Sequence, residues 1–198
     1  MRDMIRIVLV LTILSSSSGI LLASLRDGTK ERIKKQELEF LKAPAVRQIL
    51  AGISNDPIND LFTIQDGDKE INFFVGIKDG KANMVAFETS GPGYGGDIGL
   101  MVGVDISNDK IIGVGVTKHQ ESPGLGSRAK TDPKFPAQFG GLPIMEPFKV
   151  KTDGGQVDAL SGATITSQGV CLAATNAGEL YKRLKEKITQ ELKNIKTQ

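Results

Sequence analysis

Four hydroxyl side chains and a glycine crowd into one ten-residue stretch of this chain, Asp158-Ala159-Leu160-Ser161-Gly162-Ala163-Thr164-Ile165-Thr166-Ser167. Apolar residues then recur at Val170, Ala173, Ala174, Ala177, Leu180, Leu184, Ile188, Leu192 and Ile195. That spacing is close to 3.6 residues and predicts a long amphipathic helix. Hydroxyls at a helix start have two readings. They can cap it, accepting a hydrogen bond from an orphan N–H for about 1 kcal/mol. Alternatively, the free N–H groups and the helix dipole can make the start an anion site suited to a phosphate.

Two glycine-rich segments lie upstream. Gly91-Pro92-Gly93-Tyr94-Gly95-Gly96 satisfies GxGxxG literally, but that fingerprint must open a helix within a βαβ unit. An alternating strand pattern follows here instead, so a dinucleotide loop is rejected and two readings stay open, a plain turn or a ligand loop. In His119-Gln120-Glu121-Ser122-Pro123-Gly124-Leu125-Gly126, Gly124 and Gly126 allow backbone N–H groups to approach a flat ligand. His119 has no second His or Cys nearby, which leaves a metal site unsupported. Cys171 falls in the first turns of the last helix and reads as a small buried hydrophobe. One cysteine cannot form an intrachain disulfide or hold an iron–sulfur cluster, so any redox role needs another cofactor.

Asp158-x-x-Ser161-Gly162-Ala163-Thr164, followed by Thr166, resembles the flavinylation motif of the FMN-binding domain family. That family includes the G subunit of the Rnf electron-transport complex and the C subunit of the sodium-pumping NADH:quinone reductase. The second glycine-rich segment resembles the family's His-x-Glu-Thr-Pro-Gly-Leu-Gly loop, with Ser122 in place of threonine. The resemblance extends over essentially the whole chain. It implies FMN joined to Thr164 through its phosphate as an ester, made from FAD by a separate flavin transferase with a divalent cation. Ser161, Gly162, Ala163 and Thr166 would border the attachment point, and Asp158 would serve recognition by the transferase. Glu121, Ser122, Gly124, Leu125 and Gly126 would line the cofactor, Glu121 accepting from a ring N–H and Leu125 offering an apolar face. Tyr94 would lie near the flavin ring or support its loop.

The elements that must position these residues are legible in outline. Residues 7–25 are 19 uncharged positions, about 28 Å as a helix against a bilayer core of ~30 Å. An uncleaved membrane anchor fits this better than a signal peptide, because the apolar run is long and Arg26 follows at once. Residues 29–53 read as a helix interrupted at Pro44, and Asn55-Asp56-Pro57 as a stop. Strands are predicted from Ile71 to Lys78 and from Ala82 to Thr89 around the hairpin turn Asp79-Gly80. Further strands are expected over Ile98–Ile106 and Ile111–Lys118, with a short one at Phe148–Val150. The expected fold is α+β: an N-terminal transmembrane helix, then an antiparallel sheet, half covered, with flanking helices. The expected division is a tail at 1–6, the membrane helix at 7–25, a helical linker at 26–56 and an FMN-binding domain at 57–198.

A net charge of +2, without a basic stripe, gives no footing for nucleic acid. Glycine is abundant, 23 residues where about 14 would be usual, and the excess falls mainly between residues 91 and 169, where close backbone approach is therefore expected. Basic residues Arg26, Lys30, Arg32, Lys34 and Lys35 flank the far side of the apolar run, so charge alone does not place the soluble part outside the cell. The resemblance implies the extracytoplasmic face of a bacterial or archaeal cell membrane. It also implies a redox protein, not catalytic alone, in an ion-translocating ferredoxin:NAD oxidoreductase, with membrane subunits A, D and E as partners. The C subunit of the quinone reductase is the alternative within the family, disfavoured because no large insert separates anchor and sheet. From another class, the alternative is a membrane-tethered adaptor whose glycine loops are turns and whose hydroxyls are a cap.

Overall fold

A computed structural model describes residues 1–195. It divides into two units, Met1–Phe40 and Leu41–Gln198. The first is dominated by α1 (Arg2–Gln36), none of whose residues is buried. By length and composition this helix can cross a membrane. Its Thr12 hydroxyl donates to the Val8 carbonyl at 2.8 Å, so that polar side chain is satisfied within its own helix.

A π-helical stretch, Glu37–Lys42, follows, and Pro44 stands at the start of α2 (Ala43–Ile49), where a missing N–H costs nothing. The rest of the second unit is built on a five-stranded antiparallel meander, in spatial order β1-β2-β3-β4-β5. Its strands are β1 (Leu61–Asp66), β2 (Lys69–Lys78), β3 (Lys81–Pro92), β4 (Asp97–Asp105) and β5 (Lys110–Lys118). Asp79 (φ 52°) and Gly80 (φ 72°) both adopt the left-handed conformation that a tight two-residue hairpin needs. Strand β1 was not expected, and β3 continues through Gly91 and Pro92, which the sequence pattern left in a loop. Phe148–Val150 contributes only an isolated bridge, Val150 to Val157. Two short helices, α3 (Arg128–Thr131) and α4 (Lys134–Ala137), precede the long α5 (Thr164–Ile195).

Helix α5 crosses one face of the sheet and buries the residues its periodicity marked, from Val170 through Leu192. They join Phe73, Phe87, Leu100, Val102 and Val104 in one core. The half-covered sheet expected from alternation is not what forms. On β4 the intervening Met101 is also fully buried, and α2 packs on β4 and β5 from the second face. Glycines make that possible: Gly103 and Gly113 pair across β4 and β5, and with Gly115 they leave a trough for Ile49 and Ala45. Alternation of apolar residues with glycine thus marked two buried faces.

The start of α5 is set against the end of β3 by backbone contact. A Cβ on Gly91 would lie 2.2 Å from the Gly169 carbonyl oxygen, and one on Gly169 would lie 2.3 Å from that of Pro92. Thr89 donates to the Ala173 carbonyl at 2.8 Å, and Asn176 donates to that of Ser90 at 2.9 Å. Only glycine at both crossing points permits this approach.

Candidate functional site

The hydroxyl-rich stretch forms a turn and the first turn of α5. Leu160 to Ala163 closes as a β-turn, with Ala163 N–H donating to the Leu160 carbonyl at 3.0 Å. Its third residue, Gly162, has φ 77°, a conformation that favours glycine. Ser167 fastens the turn: its hydroxyl accepts from Leu160 N–H at 2.9 Å and donates to the Ala163 carbonyl at 2.9 Å. Four hydroxyls similar in sequence therefore separate into two kinds. Thr166 and Ser167 are buried, whereas Ser161 and Thr164 are exposed.

Thr166 is held from the other side, donating its hydroxyl to Glu121 Oε2. Glu121 is 6% exposed, and its Oε1 accepts the Gly95 N–H at 2.8 Å. Its own N–H donates to His119 Nδ1 at 3.3 Å. One carboxylate thus joins the loop after β3, the loop after β5 and the first turn of α5. Gly93 and Gly126 flank it: a Cβ on either would come within 2.5 Å of a carboxylate oxygen. Glu121 was expected to reach a ring N–H. Each of its two oxygens has one of these protein donors, and the residue is buried.

Near Thr164 in the chain, exposed apolar side chains stand beside polar ones: Ser161 is exposed, and Gln168, one turn on, donates to Asp153 at 2.7 Å. Leu125 is 49% exposed, and its Cδ2 would lie 3.3 Å from a Cβ on Gly162. Ile165 is 51% and Leu172 44% exposed, one helical face apart from the core-facing set. Gly124 (φ 74°) turns the chain at Leu125, with its N–H donating to the Ser127 hydroxyl at 2.9 Å, and Ser122 beside it is exposed. Tyr94 stands 77% exposed at the tip of a turn closed by Gly93 N–H to the Gly96 carbonyl at 2.9 Å. Asp158 is exposed and paired with Lys151 at 2.8 Å, while its backbone is clamped by Gln138. Sequence reasoning missed the roles of Ser167, Gly95 and Lys151. Ile165 and Leu172 carried a signal, being large apolar residues out of phase with the buried stripe. Cys171 is buried, as a small hydrophobe would be, and burial, with Asp153 adding to the rise, pushes its thiol up to about 12.

Residues 93–179, which hold most of the first glycine-rich loop, all of the second and the exposed Thr164 at the start of α5, match the FMN-binding domain family. The chain is 32% identical over 179 residues to the G subunit of the ion-translocating oxidoreductase complex from Methanosarcina acetivorans, covering 89% of this chain and 93% of that protein. It is 31% identical over 191 residues to the G subunit from Vibrio cholerae, covering 91% of each. The crystal structure of the C subunit of sodium-translocating NADH-quinone reductase from Parabacteroides distasonis matches with a TM-score of 0.55 and 25% identity, over 81% of this chain and 94% of that one. The chain belongs to the family of ion-translocating oxidoreductase complex G subunits.

Proposed function

We propose that this chain is the electron-carrying flavin subunit of a membrane ion-translocating oxidoreductase of the Rnf type, with FMN held as a phosphoester on Thr164. The observation that carries the reading is the sorting of the hydroxyls: Thr164 faces solvent while Thr166 and Ser167 are turned inward. Bound FMN supplies reversible uptake and release of electrons, which no side chain here can provide.

The residues present fit that group. The start of α5 places backbone N–H groups and the positive end of the helix dipole beside Thr164, which stabilises a phosphodiester charge by roughly 0.3–1 kcal/mol. Leu125 and Ile165 give an isoalloxazine ring an apolar bed. Small Gly162 and Ala163 leave the Thr164 hydroxyl open to a modifying enzyme, and exposed Asp158 offers that enzyme a carboxylate. Attachment prevents loss of the cofactor on a surface facing the cell exterior. Residues 7–25 would cross the membrane among the other members of the complex, with A, D and E as neighbours, and the soluble unit would lie on the extracytoplasmic side.

Intact mass of the full chain, co-expressed with a flavin transferase, tests the reading. The expected mass is that of the chain plus one FMN less a water, absent in Thr164→Val. An unmodified wild type sinks it. Protease added to intact spheroplasts should digest the soluble unit; protection there would reverse the assigned orientation.

A further inference from the structure

The buried polar side chains of the described residues are few: Thr117, Glu121, Thr166 and Ser167. Three of those four converge on the first turn of α5. A helix start can be capped by exposed hydroxyls at little cost. Burying a carboxylate against two uncharged donors is unfavourable by comparison. The arrangement also fixes Gly93 and Gly126 as glycines, since the carboxylate occupies the space of both side chains. Capping alone does not explain such a network.

We propose that Glu121 is a positioning residue for flavin attachment, acting through Thr166 to hold the first turn of α5 so that the Thr164 hydroxyl is presented outward before any enzyme engages it. This rests on the reading of Thr164 as the attachment point. In the step served, the Thr164 oxygen forms a bond to the flavin-side phosphorus of FAD. The bond from that phosphorus to the AMP oxygen breaks, AMP leaves, and the hydroxyl proton is released. Ser167 fixes the turn that enters the helix, and Glu121 fixes the helix turn that follows. Thr164 stands between two immobilised points, so its hydroxyl needs little reordering to meet the phosphorus.

The test is the time course of labelling of the full-length chain in detergent by purified flavin transferase with FAD and magnesium. At saturating FAD, Thr166→Val and Glu121→Gln should lower the first-order rate constant about tenfold or more. Both should still reach a plateau of one FMN per chain, and Thr166→Ser, which keeps the hydroxyl, should label near the wild-type rate. A wild-type rate constant in Thr166→Val overturns the proposal. So does a lowered plateau at an unchanged rate constant, which marks a misfolded fraction, or a Thr166→Ser as slow as the valine variant. Failure of the wild type to label at all sinks the attachment reading itself, and is distinct from any change in the ratio between variants.

Discussion

The side chain of Ile49 fills the space where Gly103 would carry its own: a Cβ built on the glycine lies 2.2 Å from the isoleucine Cγ2. The contact seats α2 on the β4–β5 part of the second face. Gly103→Ala should lower stability by about 1–3 kcal/mol through overpacking. Ile49→Ala should cost about 2–5 kcal/mol by leaving a cavity. The double variant should lose less than the sum, because each change relieves the other. Chemical unfolding of the four proteins checks this, and strict additivity would mean that α2 shifts freely over the sheet.

Tyr181, fully buried on α5, donates its hydroxyl to Asp109 Oδ1 at 2.7 Å, and Lys185 donates to Oδ2 at 2.7 Å. Burial raises the Asp109 carboxyl, but the Lys185 and Tyr181 bonds outweigh it and the net shift is downward. A lowered folded value contributes stability above the ordinary carboxylate range that is lost as pH falls through the folded value. Asp109→Asn should therefore flatten the acid limb of the stability curve. Asparagine also tolerates the left-handed φ of 56° at this turn. Tyr181→Phe should cost about 1.5–3 kcal/mol. An unchanged acid limb in Asp109→Asn would remove this carboxylate from the account.

Cys171 gives the opposite limb. Its folded thiol is raised to about 12 by burial, above the ordinary value of 9.0. Stability from this group is complete below the unfolded value and is lost as pH rises from there through the folded one. Between pH 9 and 12 the slope attributable to it approaches ~1.4 kcal/mol per pH unit. Cys171→Ala should show a shallower alkaline decline than wild type. Native protein at pH 8 should resist iodoacetamide and react after denaturation; rapid native labelling would contradict the burial.

Ile165 and Leu125 are the exposed apolar residues beside Thr164. If they bed a flavin ring, Ile165→Asn should leave one FMN per chain by mass yet increase quenching of flavin fluorescence by iodide. Equal quenching would place the ring elsewhere on the surface.

Gly126→Ala addresses the network differently. Its Cβ would meet Glu121 Oε2 at 2.5 Å and Thr166 Oγ1 at 2.6 Å, so it should separate the two groups. A lower unfolding temperature by about 2–8 °C, for a loss of ~1–2 kcal/mol, is expected. An unchanged temperature would show that the loop yields.

The sheet and α5 were legible because their signals are local: alternation on β4, the Asp79-Gly80 turn, and a 3.6 period that held from Val170 to Leu192. Strand β1 was missed because its Leu61–Asp66 segment ends in Gln65 and Asp66 and leans on β2 for its place. The second buried face was missed because glycine opposite isoleucine reads as a weak strand, not as a receptor for a helix. At the site, residue types marked a hydroxyl cluster and two glycine-rich loops, and only the family resemblance singled out Thr164; which hydroxyls turn inward depends on helix phase relative to a core known only in three dimensions. Glu121 illustrates the limit: a carboxylate in a ligand-like loop holds the loop itself together.

The helix that begins at Thr164 is also the one that supplies the domain's interior, and glycines lock its opening turns to β3. A group esterified there would have no soft hinge beneath it. Its first atoms would travel only as the whole sheet and helix travel, so any swing of a ring beyond that anchor would come from the rotatable bonds of the group itself or from a motion of the entire body.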